Sequence, residues 1–325
     1  MRFGHIYLFY FVVLTVSLIA ALSHFSPKIN PDTANENVEK RASVFLNSFL
    51  SIYRADQSTL NLETQKLVES PINNKILLFD VKGELGKDKK IQFFGKNGVV
   101  HKNQHFLKLN DEIELTNEQS KTVSDYLFLD YQKNEMNLSG NVKSYFSLKD
   151  QNITINSNSM SMDKVTGKTT YQDMVKGNIL SAKKVGVDNI KFKSNLLIYD
   201  DLNQMINLDG NAYIHRGKSE IFALNGVIWL ENFGEGVKYF AMNDDVRLND
   251  SFVNEAGKKM TRMSFSEKLE GFSLEKKIIL SGYPQVKQDR DIIKGNKMII
   301  REDEEVIEII NTNSQFNLEK GSMDE

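Results

Sequence analysis

The chain has 325 residues, a formal net charge of -2, 26% charged residues and no cysteine. This length can bury a large core, either as one elongated body or as two domains. The near-neutral charge removes the electrostatic case for nucleic-acid binding. The lack of cysteine excludes disulfides and thiolate metal sites, and it is consistent with an oxidising compartment.

The amino-terminal segment predicts a membrane anchor. Residues 6–22 are apolar apart from two tyrosines, a threonine and a serine, and they carry no charge. A helix of this length rises by roughly 25 Å, and residues 23–25 can extend it toward the roughly 30 Å of a bilayer core. Ala21-Leu22-Ser23 is also an acceptable cleavage site, so a cleaved signal peptide is the alternative. In both cases everything after residue 25 is exported.

The next segment predicts a helix from Asn35 to Asp56. Its apolar residues recur at helical spacing: Val38, Ala42, Phe45, Leu46, Phe49 and Ile52. We interpret it as a helix that lies against the membrane or caps the first strand, with a partner-binding helix as the alternative. Residues 1–25 are thus assigned to the anchor and residues 26–58 to a helical linker.

From residue 60 onward the hydrophobic period is two. Alternating apolar residues predict strands with one apolar and one polar face. Such segments include Leu107 to Leu115, Met136 to Val142, Ile206 to Ile214 and Ile278 to Val286. Only four prolines occur, and three precede the region of long strands, as expected because proline cannot donate to a ladder. Glycine-containing turns punctuate the segments, which predicts antiparallel meanders.

A block within this region occurs three times. It reads Ser-x-x-Leu from Ser124, Ser194 and Ser266, and each copy is followed by a Leu-x-Gly sequence ending at Gly140, Gly210 or Gly282. The copies are 70 and then 72 residues apart. A repeat of this kind indicates one supersecondary unit stacked on copies of itself. Because the glycine lies in phase with the apolar positions, we expect it either to leave room for a close-packed neighbour or to let the strand bend sharply.

The repeats resemble a known family. Leu208-Asp209-Gly210-Asn211-Ala212-Tyr213-Ile214 resembles the repeat of the LptA/OstA family, and Leu280 to Val286 is similar to that family's terminal repeat. The amino-terminal span and the region from Phe94 to Phe146 are similar to LptC, the membrane-anchored component of the same transport system. The resemblance covers residues 75–318 in pieces. It leaves open a long LptC or an LptC-LptA fusion, with an LptC-like region at 59–185 and an LptA/OstA-like region at 186–325.

The resemblance implies an elongated, folded-over antiparallel sheet, a β-taco or β-jellyroll, whose apolar interior shields lipopolysaccharide acyl chains during passage across the periplasm. It implies a single-pass inner-membrane protein with its bulk in the periplasm. It also implies partners in the inner-membrane ABC transporter subunits and the periplasmic bridge proteins. We expect these to join through edge strands, with candidate edges at residues 60–68 and 306–310.

The apolar positions supply candidate walls for the lipid-binding groove. A sheet with one apolar face and no helix to cover it must fold onto itself, and a gap between the halves would expose apolar walls. The candidates are Leu138, Val142, Leu208, Ala212, Ile214, Leu280 and Val286. Core packing explains each of them equally well.

Catalytic and metal-binding motifs are lacking, and we expect neither an enzyme nor a cofactor. His101 and His105 have the spacing of a helical zinc pair, but they fall in a predicted turn, where residues four apart do not share a face. Asp244-Asp245 has no identifiable partner and is interpreted as a solvated strand end. The competing function is a membrane-anchored scaffold or FecR-like signalling protein, with a closed β-solenoid and no lipid ligand.

Overall fold

A computed structural model describes residues 42–53, 59–70, 74–85, 90–101, 105–133, 135–148, 151–163, 166–181, 189–230, 237–253, 257–273, 275–288, 291–301 and 307–310. The secondary structure within these ranges consists of nineteen strands and no helix. The chain divides into two compact units between Val142 and Lys143. The predicted boundary at residue 185 falls outside the described residues, as does the predicted membrane span.

The first unit is an antiparallel meander. Each strand pairs with the next one in the chain from β1 to β6. Strand β7 begins in this unit and continues into the second. The strands are β1 (Ser43–Tyr53), β2 (Thr59–Ser70), β3 (Lys75–Leu85), β4 (Ile91–His101), β5 (Phe106–Thr116), β6 (Ser120–Asp130) and β7 (Glu135–Leu148).

The second unit continues the same pattern through seven strands, β8 to β14. They are β8 (Gln151–Asp163), β9 (Lys168–Ser181), β10 (Ile190–Asp200), β11 (Met205–Arg216), β12 (Ser219–Leu230), β13 (Val237–Val253) and β14 (Lys259–Phe272). Short strands then complete the unit: β15 (Lys277–Ser281), β16 (Gln285–Gln288), β17 (Asp291–Lys294), β18 (Lys297–Arg301) and β19 (Ile307–Ile310). β14 pairs with both β15 and β16. On one branch β15 pairs with β18, which pairs with β19. On the other branch β16 pairs with β17.

The helix predicted from Asn35 to Asp56 is wrong over its described part. Ser43–Tyr53 form strand β1, which pairs antiparallel with β2 from Ser43 opposite Glu69 to Tyr53 opposite Thr59. The helical spacing of the apolar residues is real, but the segment is also rich in β-branched and aromatic residues. Backbone pairing with β2, which no local pattern encodes, decides between the two structures.

The predicted edge strand at residues 60–68 is also wrong, because pairing between strands, and not the local pattern, decides which strand lies at the edge. Residues 60–68 lie in β2, which is hydrogen-bonded to β1 on one side and to β3 on the other. The edge is β1 instead, whose only strand partner among the described residues is β2. At the other end, β19 overlaps the second predicted edge, and its only described strand partner is β18.

Within each unit the sheet covers its own apolar face. Along β11, Ile206, Leu208, Ala212 and Ile214 are buried, while the residues between them are exposed or half-buried. The described residues include no helix that could lie over this face. The sheet must therefore curve so that its inward side chains bury one another, which confirms the all-β antiparallel prediction.

The curvature is made at a corner that recurs along the sheet. Consecutive residues with positive φ occur at Asp111-Glu112, Gly140-Asn141, Asp173-Met174, Gly210-Asn211, Asp244-Asp245 and Gly282-Tyr283. In β5, β9, β11 and β13 the pair coincides with a register shift against the neighbouring strands. An extra residue of this kind bends a strand and increases its twist. Of the repeated glycines, Gly210 coincides with such a register shift, which agrees with the expected bend.

The repeat has a physical basis at this corner. A β-carbon placed on Gly140, Gly210 or Gly282 would lie 2.5 to 2.8 Å from an atom of the facing strand, and that atom belongs to Asp125, Asn195 or Glu267 respectively. These three residues each follow the repeated serine. The close approach leaves no room for a β-carbon, and glycine adopts the positive φ without strain. The serines Ser124 and Ser266 in turn donate hydrogen bonds to carbonyl oxygens two residues further on, at 3.1 and 3.0 Å.

The interpretation of Asp244-Asp245 as a strand end is wrong. The pair lies in the middle of β13, where both residues adopt positive φ (65° and 53°) at the corner. Aspartate and asparagine adopt this conformation more readily than most residues because their short polar side chains can hydrogen-bond locally. Asp244 accepts a hydrogen bond from Asn225 on the neighbouring strand, at 3.3 Å.

A second use of glycine places an aromatic ring over the backbone of the facing strand. Gly83, Gly177 and Gly271 are the pairing partners of Phe93, Phe192 and Phe240. A β-carbon on Gly177 would lie 2.0 Å from the tip of the Phe192 ring, which is 1% exposed. The ring fills the space that a side chain would otherwise occupy, in the manner called aromatic rescue.

We predict that Gly177→Ala lowers the free energy of unfolding by about 1–3 kcal/mol, because the buried Phe192 ring must move. In a Phe192→Ala background the same change should be neutral or slightly stabilising, since alanine costs less backbone entropy than glycine in a strand. Urea unfolding of the four proteins in this cycle measures the coupling. An equal loss in both backgrounds would show that the ring is not the cause.

Candidate functional site

The seven predicted groove residues all point into the buried side of the sheet. None of them is more than 2% exposed. Leu138 and Val142 lie on β7 in the first unit. The other five lie in the second unit, with Leu208, Ala212 and Ile214 on β11, Leu280 on β15 and Val286 on β16.

In the second unit the strand register brings the five residues together in cross-strand rows. One row runs across six strands through Leu197, Leu208, Gly226, Met242, Leu269 and Leu280. A second row runs through Phe192, Ile214, Ile221, Leu248, Ser264 and Val286. Ala212 lies opposite Ala223 between them. Residues far apart in the sequence therefore form one continuous apolar lining.

The lining also contains tyrosines that sequence reasoning did not identify. Tyr171 is fully buried and extends the first row, since it pairs with Leu197. Burial raises the pKa of its hydroxyl well above the ordinary value. Tyr199 is 3% exposed, its ring lies 4.8 Å from that of Phe146, and burial followed by the nearby Asp201 carboxylate raises its pKa strongly. Both hydroxyls therefore remain neutral over the physiological range.

A polar row borders the apolar lining in the second unit. Arg216 lies opposite Ser219, and Asp250 lies opposite Arg262, which in turn lies opposite Gln288. Beyond Arg216 the row continues into the apolar residues Ile190 and Ile179. Ser219 and Asp250 are each 8% exposed and are joined by a hydrogen bond of 2.9 Å. Arg262 is 1% exposed and binds Asp250 at 2.6 Å.

The sequence did carry a signal for this row. Arg216 follows Ala212 and Ile214 in the apolar phase of β11, and Arg262 occupies the apolar phase of β14 after Met260. A charged residue in the phase of the buried residues is unusual, because isolated buried charges are costly. The alternation predicted for these strands could therefore have identified the two buried arginines.

The two histidines contact different aromatic rings. His101 ends β4, and its ring lies 4.5 Å from that of Phe106. His105 lies in the following turn, with its ring 5.9 Å from that of Tyr131. Over the described ranges there is no cluster of three or more acidic, histidine or cysteine side chains arranged to hold a metal ion.

Comparison with known proteins finds similarity among solved structures. No protein-family profile and no curated protein sequence matches the chain. Among solved structures, the chain is similar to LptH from Pseudomonas aeruginosa, the LptA homologous periplasmic component of the conserved lipopolysaccharide transport device. The match has 12% sequence identity and a TM-score of 0.34, and it covers 40% of this chain and 89% of LptH. Within the ranges that the structure describes, no helix has the length and hydropathy needed to cross a membrane.

We predict that Leu208→Ala lowers the free energy of unfolding by about 2–5 kcal/mol, because it removes buried apolar contacts and leaves a cavity. Leu224→Ala is the matched control, since Leu224 lies on the neighbouring strand β12 and is 51% exposed. The control should change the free energy by no more than about 0.5 kcal/mol. Equal losses in denaturant unfolding would contradict the inward position of Leu208.

Proposed function

We propose that the protein is a periplasmic lipopolysaccharide-binding bridge component. It passes lipopolysaccharide from the inner membrane toward the outer membrane and holds the acyl chains in an apolar groove between the halves of a folded β-taco. The observation that carries the proposal is the self-covered apolar lining, in which Leu208, Leu280 and their cross-strand neighbours form rows across several strands. The resemblance of the glycine repeats to the LptA/OstA family supports the same conclusion.

The lining is suited to acyl chains because it is long and continuous. Each buried methylene contributes roughly 0.8 kcal/mol, so a chain of twelve carbons is held by roughly 9 kcal/mol before losses in conformational entropy. Transfer between two similar linings changes this free energy little. Passage from one such protein to the next therefore requires no catalysis, and we propose no enzymatic step.

The proposal places the protein in the inner membrane through residues 6–22, with its bulk in the periplasm. It assigns the edge strands to the other components, namely the inner-membrane ABC transporter subunits and the periplasmic bridge proteins. Strand β1 supports this assignment. It has a single described strand partner, and Val44, Leu46 and Phe49 are 56%, 72% and 51% exposed. An edge of this kind pairs readily with a strand from another chain.

One observation favours the second candidate, a membrane-anchored scaffold or signalling protein with a filled interior. The seven candidate groove residues are almost completely buried by the protein's own side chains. If this packing does not open, the sheet is a closed solenoid without a lipid ligand. The two candidates differ in whether a lipid reaches the lining.

We predict that a photoreactive amino acid in place of Leu208 or Ile214 captures lipopolysaccharide when cells are illuminated. The inward position places the reactive group among the acyl chains. Phe222 is the matched control, since it lies on the neighbouring strand and is 39% exposed. Immunoblotting for lipopolysaccharide on the purified protein detects the adduct. Capture of protein alone from the inward positions would favour the closed solenoid.

We predict that Ile309→Pro reduces recovery of the periplasmic bridge proteins or transporter subunits with the tagged chain, because proline cannot donate to a ladder and disrupts the edge. Folding should persist, since β19 has only four residues at the end of the sheet. Ile309→Val, which keeps the backbone donor, should preserve recovery. Unchanged recovery from a folded Ile309→Pro protein would exclude β19 as the docking edge.

A further inference from the structure

An apolar surface, here called the outer patch, lies on the outer face of the sheet in the first unit. Its members alternate along their strands with buried residues, as Leu77 lies between the buried Ile76 and Leu78. The outer patch consists of the exposed residues Val44, Leu46, Leu77 and Tyr126 and the half-buried residues Val68, Phe79, Val99, Phe106 and Phe128.

The strand register makes these residues neighbours across six strands. One row runs through Val44, Val68, Leu77, Val99, Lys108 and Phe128, and the next runs through Leu46, Lys66, Phe79, Asn97, Asn110 and Tyr126. At the usual spacing of about 4.8 Å, six strands are roughly 24 Å wide. The outer face of an antiparallel sheet is ordinarily polar, so an apolar surface of this width indicates contact with something other than water.

Two lysines lie within the outer patch, and they favour a membrane over a protein partner. The ammonium of Lys66 lies 5.3 Å from the centre of the Phe79 ring. That of Lys108 lies 5.1 and 5.9 Å from the rings of Phe106 and Phe128. Lysine is depleted in the buried centre of protein interfaces. At a bilayer surface, by contrast, lysine buries its stem beside apolar groups and keeps its ammonium among the lipid phosphates.

The acidic residues around the outer patch lie at its borders, and the two rows contain none. At the strand-end border, Asp130 accepts hydrogen bonds from the backbone of the following turn, and Lys75 and His101 lie in the same row. Glu69 is in the inward phase, opposite Ile76. At the corner are Asp80, Asp111, Glu112 and Asp125, with Lys96 paired to Glu112. These borders remain in water, which limits membrane contact to the interfacial layer.

The position of the outer patch in the chain also favours a membrane. The predicted span ends at residue 22, or at residue 25 if extended, and β1 begins at Ser43. Residues 26–42 reach at most roughly 60 Å when fully extended. Val44 and Leu46 are therefore among the first strand residues after the predicted anchor, which holds them within reach of the bilayer surface.

We propose that the outer patch lies against the interfacial layer of a phospholipid bilayer. Val44, Leu46 and Leu77 face the acyl boundary, while Lys66 and Lys108 contact the lipid phosphates. The inference rests on the proposed function, since it takes residues 6–22 as the anchor that brings the outer patch to the membrane. It adds a second membrane contact, made by a sheet face, which fixes how the first unit is turned toward the bilayer.

The lack of cysteine allows a single label to test this contact in the full-length protein. The protein is reconstituted in vesicles of phosphatidylcholine and phosphatidylglycerol, with an environment-sensitive fluorophore on Leu77→Cys. We expect doxyl-labelled lipid to quench this label about twofold more than one on Lys82→Cys, because only the first lies in the interfacial layer. Lys82 is the matched control, since it is exposed on the same strand beyond the corner at Asp80. Quenching at position 77 no greater than at position 82 would overturn the proposal.

A second variant changes the outer patch and leaves the reporting site intact. Lys66→Gln combined with Lys108→Gln removes two exposed ammonium groups, so folding should persist. We expect it to reduce the quenching of the Leu77→Cys label severalfold. Lys82→Gln combined with Lys121→Gln removes the same charge from exposed positions beyond the corner and should leave the quenching unchanged. Full quenching in the Lys66 and Lys108 variant would overturn the assigned contact with lipid phosphates.

A label within the predicted span separates failure of the outer patch from failure of the proposed membrane anchor. We expect doxyl-labelled lipid to quench a fluorophore on Leu14→Cys strongly. Quenching at Leu14→Cys but not at Leu77→Cys overturns the outer patch alone. Quenching at Leu77→Cys alone supports the outer patch and overturns the anchor, whereas quenching at neither position overturns both.

Discussion

The apolar face of a sheet that no described helix covers has to be buried by the sheet itself. The other structural features follow from this constraint. Inward residues such as Leu208 and Leu280 are buried against one another, and the strands must bend to bring their inner faces together. Burial of this face is the main favourable contribution to folding.

The bend is built into the chain at regular intervals. A pair of positive-φ residues recurs in alternate strands, from Asp111-Glu112 in the first unit to Asp244-Asp245 in the second. The extra residue that bends one strand also shifts its register against the neighbouring strands. The bends of successive strands therefore lie beside one another. Glycine is required where the facing side chain approaches most closely, as Asn195 approaches Gly210. At other corners aspartate adopts the positive φ, as at Asp111 and Asp244.

The lining is not uniformly apolar, and its exceptions are informative. Tyr171 and Tyr199 contribute neutral hydroxyls in the middle of the second unit. The Asp250 and Arg262 pair places charge at one end, where a purely hydrophobic pair would be at least as stable. A buried ion pair of this kind is therefore weak evidence for a contribution to stability.

The sequence by itself determined the period-two strands, the antiparallel class, the repeat and the bend at Gly210, because alternation and glycine spacing are local patterns that a sheet must satisfy. It also determined which residues face inward, including all seven groove candidates. The tertiary structure alone decided that Ser43–Tyr53 is a strand, that β1 forms the edge, and that Ser219, Asp250 and Arg262 meet. Each of these depends on the pairing of distant strands, and a local pattern compatible with a helix or a solvated turn cannot reveal which backbone will lie beside it.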